Sequence, residues 1–97
     1  MKHTSAYKSV IQYALDNGLS VTVSWETEID LDKSTDFHEI VDAVEATDSP
    51  VVTFFKGGEI KGAVMVIVEL DDKEQVADFT PTPFIDEWFD KFIDGEL

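Results

Sequence analysis

The chain contains no cysteine and no arginine. Without cysteine there are no disulfides and no thiolate metal sites. Without arginine there is no bidentate guanidinium clamp for a phosphate or carboxylate ligand. Cationic side chains of any kind are scarce: seven lysines stand against twenty-one aspartates and glutamates, a net charge of −14 on 97 residues. Such a surface disfavours direct binding to DNA, RNA or anionic lipid, all of which are held by lysine and arginine. It selects cations or basic proteins instead. No apolar run approaches the roughly 20 residues that cross a bilayer. The first residues also lack the basic-then-apolar form of a signal peptide. A soluble protein of the cytoplasm, with no membrane partner, is the expectation.

Catalytic and cofactor motifs are missing as well. There is no twelve-residue calcium loop, Gly-x-Ser-x-Gly elbow, Ser-His-Asp order or glycine-rich phosphate loop. His3 and His38 are the two histidines and read as a terminal and a surface residue. A convergent pair of carboxylates is the one catalytic arrangement the sequence leaves open. No cofactor, no metal and no enzymatic activity are expected.

What is present is a foldable domain. An apolar content of 43%, with 11% aromatic, is too rich for a disordered acidic tail. One domain of this size buries roughly two-thirds of its unfolded surface. Its centre is the stretch Pro50 to Leu70. An apolar, β-branched and aromatic run, then Gly57-Gly58, then a second run, predicts a β-hairpin. Ala63 to Val68 is apolar without alternation. Both sides of that strand are therefore expected to be covered, by helices or by a partner chain.

Around the hairpin the spacing predicts three helices. Thr4 caps the first, with Ala6, Tyr7, Val10, Ile11, Ala14 and Leu15 on one face and Gly18 as its stop. Ser34-Thr35-Asp36 opens the second, with Phe37, Ile40, Val41 and Val44 as its stripe. Thr82 and Pro83 start the third, which carries Phe84, Ile85, Trp88, Phe89, Phe92 and Ile93. Leu19 to Trp25 alternates as a strand, Glu26-Thr27 turns the chain, and Glu28 to Lys33 returns. Val76 to Thr80 reads as a small edge strand or a tether. The order α-β-β-α-β-β-α gives a single α+β domain over residues 1–97, with a mostly antiparallel sheet of about four strands and three helices.

Two rows of carboxylates are the candidate binding residues. Glu28, Asp30 and Asp32 alternate along a strand and share one of its faces, about 6.6 Å apart, with Ile29 and Leu31 on the other. Asp86, Asp90 and Asp94 recur every four residues on the last helix, about 6 Å per step, with Glu87 beside them. Rigid rows of negative charge can stand in for nucleic-acid phosphates; they read equally as solvated faces. A metal reading of Asp30, Asp32, Asp71 and Asp72 lacks a loop to organise it. The aromatic residues read as core, and a leftover patch would support a homodimer that doubles the acidic surface.

Glu74 to Thr80, Phe84 to Trp88, Lys33 to Phe37 and the central hairpin together resemble short, uncharacterised acidic proteins encoded by phages. The resemblance covers about half the chain and brings no activity of its own. It implies a protein made inside a bacterial host. Small acidic phage proteins of this kind resemble DNA mimics, which occupy the basic nucleic-acid-binding site of a host defence or DNA-processing protein. The alternative is an interaction or assembly module that binds through an apolar patch, its acidity serving solubility.

Overall fold

Strand alternation decides how this molecule is layered. The computed structural model describes residues 5–96; the expected cap Thr4, and His3, lie outside them. In β1 (Ser20–Trp25) Val21 and Val23 are fully buried between half-exposed Ser20 and Ser24. In β3 (Val51–Lys56) Val52 and Phe54 are buried, and in β4 (Glu59–Val66) Val64 and Val66 are. With β2 (Glu28–Ser34) and β5 (Val76–Phe79) these form one sheet in the order β2-β1-β3-β4-β5, each neighbour antiparallel. Directly opposed residues share a face. Leu31, Val23, Val52, Val64 and Phe79 accordingly make one row across the sheet, and Val21, Phe54 and Gly62 the next.

All three helices pack on the face that carries those rows. They are α1 (Ala6–Asp16), α2 (Phe37–Glu45) and α3 (Pro83–Ile93), and they join the buried valines and Phe54 in one continuous core. The α+β class and the element order match the sequence reading, but the sheet has five strands rather than about four. The extra one is Val76–Phe79, where the edge-strand alternative holds. Among the described residues, helices do not cover the Ala63 to Val68 strand on both sides, so of the two expected covers a partner chain is the one that remains for its second face. The strand stops at Val66, Met65 is 38% exposed, and no helix lies over its second face among the described residues.

Local chemistry explains where each element begins. Asp36 accepts a hydrogen bond from the Glu39 N–H at 3.1 Å and caps α2. Ser5 occupies the N-cap position of α1 without capping through its side chain; its hydroxyl donates instead to Gln75 Oε1 at 2.6 Å. Gln75 in turn donates to the Val68 carbonyl at 3.0 Å, so this buried amide is satisfied and fastens the approach to β5. Gly57 and Gly58, with φ of 60° and 82°, make the tight reversal of the central hairpin.

Helix α3 sits directly on the backbone of β4. Gly62 lies opposite Phe54, and a Cβ at Gly62 would come within 2.6 Å of Ile85 Cγ1. The Thr82 hydroxyl clips the helix start to the same strand, donating to the Lys61 carbonyl at 2.7 Å and accepting from the Ile85 N–H at 3.4 Å. One turn later Trp88, 1% exposed, donates from Nε1 to Ser9 Oγ at 3.1 Å and ties α3 to α1. Gly62→Ala therefore forces Ile85 out of its seat. We expect a loss of about 1–3 kcal/mol, read as a lower urea midpoint with an unchanged slope; an unaltered midpoint would mean α3 rides higher than described.

Candidate functional site

Every one of the twenty-one carboxylates lies at an exposed position. The ion pairs formed among described side chains are Lys91–Glu87 at 3.5 Å and Lys61–Glu59 at 3.6 Å. Lys8 and Lys33 instead lie over the rings of Tyr7 and Phe55, and Lys56 reaches the Asn17 carbonyl. The negative charge is thus left largely uncancelled by the described lysines.

The acidic row on α3 is a genuine ridge. At 3.6 residues per turn, Asp86, Asp90 and Asp94 fall within an arc of about 80°. Ile85, Trp88 and Phe92, all buried, occupy the opposite side of the helix, so the row points away from the core. Exposed Phe89 and Ile93 flank it on one side; Glu87 and Lys91 flank it on the side toward α1. Glu87 is partly engaged within the fold, because the Tyr13 hydroxyl donates to it and Lys91 pairs with it.

The row on β2 does not survive as a straight line. Ile29 is paired with Ser24, and Leu31 with Val23. Ser24 and Val23 face opposite sides of the sheet, so Ile29 and Leu31 do too, which strict alternation would forbid. A bulge lies between them, and Lys33 adopts a left-handed backbone (φ 48°) that lets its N–H reach the Thr22 hydroxyl at 3.0 Å. Leu31 joins the core while Ile29 is left 63% exposed. Glu28, Asp30 and Asp32 therefore do not share one face at even spacing. Asp32 accepts from Thr22 Oγ1 at 3.1 Å on the open side of the sheet.

Several carboxylates are positioned by uncharged donors. Gln12 donates to Asp16 at 2.9 Å, Ser34 to Glu39 at 3.0 Å and Tyr7 to Glu45 at 2.5 Å. Tyr13 holds Glu87 in the same manner and stacks on Phe84 at 5.5 Å. Burial, and then the bond to Glu87, push the Tyr13 phenol up to about 12. Tyr7 is raised by the same two causes, with Glu45 as its acceptor. Glu87 moves the other way: the tyrosine hydrogen bond first, and Lys91 second, hold its carboxyl below the usual range. The sequence reading places Tyr7 on the apolar stripe and assigns nothing to Tyr13. A tyrosine on a helical core face that needs an acceptor is the signal that could have found both contacts.

Among the described residues no three His, Asp or Glu side chains group as a metal site, and no helix is long and apolar enough to cross a membrane. A shallow recess on the open sheet face, lined by Val51, Ala63, Met65, Asp78 and Thr80, has no counterpart in the sequence reading.

The tyrosine contacts set an alkaline limit. An unfolded tyrosine ionises near 10 and folded Tyr13 near 12, so the folded state favours the neutral phenol. The stability this contributes is complete below pH 10 and is lost as pH climbs from 10 to 12. Urea midpoints should fall across that window, and Tyr13→Phe should flatten the fall while lowering stability at neutral pH. Parallel curves for the two proteins would place the phenol in solvent.

Compared with family models, with curated proteins and with solved structures, the chain matches none.

Proposed function

We propose that this protein is a non-enzymatic inhibitor that presents an acidic ridge to the basic, nucleic-acid-binding groove of a host protein. The reading takes the setting implied by the sequence resemblance, a phage product in the cytoplasm of a bacterial host. Its mechanism is competition: the ridge occupies the groove as a DNA strand would, steered by long-range attraction. The observation that carries it is the outward row Asp86, Asp90 and Asp94 on a helix whose other side is locked into the core. Glu87 contributes from the flank, and Glu28, Asp30 and Asp32 add negative field at the far edge of the sheet without forming a second ridge. The partner is a basic protein; nucleic acid itself is repelled. A homodimer joined through exposed apolar residues would lengthen the acidic surface, against the repulsion of two chains at −14 each.

A second reading rests on a separate observation. Phe89 and Ile93 are 40% and 53% exposed beside the ridge, an apolar pair that an interaction module would use as its anchor. Acidity would then serve solubility alone.

Affinity capture from host lysate, with mass spectrometry, supplies the partner for the decisive comparison. We expect Asp90→Lys with Asp94→Lys to weaken its binding by about tenfold or more. Duplex DNA should displace the protein, and about 0.5 M salt should abolish the complex. Binding that survives both the charge reversal and the salt, yet fails on Phe89→Ala, would establish the second reading instead.

A further inference from the structure

The middle of the open face, on β3 and β4, lacks the charged side chains usual on the wet face of an antiparallel sheet, while β1 contributes Ser20, Thr22 and Ser24 to the same face. Neither Val51 to Phe55 on β3 nor Gly62 to Val66 on β4 contains a charged residue. Their outward side chains are Val51, Thr53 and Phe55, and Ala63 and Met65. Met65 stands between Val51 and Asp78 in one row across the strands. The recess described above opens here, with apolar walls from Val51, Ala63 and Met65 and with Asp78 and Thr80 also lining it. One Asp78 oxygen accepts from the Phe79 N–H at 2.9 Å, which orients the carboxylate.

We propose that this face is a docking site for a basic segment of a partner protein, one lysine or arginine of which lies in the recess. The aliphatic stem of such a side chain covers Val51, Ala63 and Met65, and its charged head meets Asp78. Thr80 offers a hydroxyl beside it. Charge selects this occupant over a second copy of the chain, since two copies at −14 each would bring like fields together. Lys33, over the Phe55 ring at another corner of the face, is held away from the recess by that contact. The site is separate from the α3 ridge and does not depend on it.

The test uses the full chain and a defined probe, a nine-residue peptide of alternating leucine and arginine, with a glutamine-for-arginine version as control. Amide shifts followed by NMR should cluster on Val51, Thr53, Ala63, Met65, Asp78 and Thr80 for the arginine peptide alone. Asp78→Asn and Met65→Lys should each weaken it about tenfold, Asp78→Glu should restore binding, and Asp90→Lys with Asp94→Lys should change it less than twofold. Shifts centred on α3, equal binding of the glutamine peptide, or no binding would each overturn the inference. So would a dimer seen by sedimentation that Met65→Lys dissolves, since the second copy would then be the occupant. Loss through Asp78 and Met65 reads this face, whereas loss through Asp90 and Asp94 reads the ridge, so either can fail alone.

Discussion

One-sided burial is the constraint on which the rest of this molecule depends. Five strands offer two faces, and the chain has three helices of eleven, nine and eleven residues to cover them. All three go to the same side, where Val21, Val23, Val52, Phe54, Val64 and Val66 make a floor without a polar interruption. Gly62 is what lets α3 reach that floor, and Trp88 is the large side chain that fills the space between α3 and α1. Once α3 is seated this deeply, its opposite side has to point at solvent. The direction of Asp86, Asp90 and Asp94 is therefore a consequence of core packing and needs no separate device.

Much of this was legible from pattern. The caps Asp36 and Thr82, the stop at Gly18, the Gly57-Gly58 turn and the alternation of β1 all appear where short-range chemistry places them. These features depend on neighbours within a few residues, and the sequence displays such neighbours directly. The acidic row on α3 was legible for the same reason, because helical periodicity is rigid over three turns.

What was not legible depended on distant partners. The register of β2 against β1 is irregular twice, between Ile29 and Leu31 and again between Leu31 and Ser34, where the Lys33 N–H donates to Thr22 Oγ1; alternation read from Glu28 to Lys33 alone has no means of sensing either. The run Ala63 to Val68 looked like a strand covered on both sides because hydropathy counts apolar side chains without saying where the strand stops. Here it stops at Val66, and Ile67 and Val68 are only partly buried. The short strand β5 is four residues long and exists by virtue of pairing with β4. Gly62 is the instructive omission. A glycine inside a strand marks close approach by another element, and that element turns out to be Ile85.

The hydroxyl contact of Tyr7 with Glu45 has a further consequence. A lysine that fixes a carboxylate also cancels its charge, whereas a phenol fixes it and leaves the charge in place. Glu45, and with it Asp16, Asp32 and Glu39, is restrained by such neutral donors. Part of the rotational freedom that an acidic side chain gives up on meeting a cation has thus already been surrendered in the free protein. An anion held this way behaves less like a tethered counter-ion and more like a fixed lattice point, its field intact and its coordinates set before any encounter.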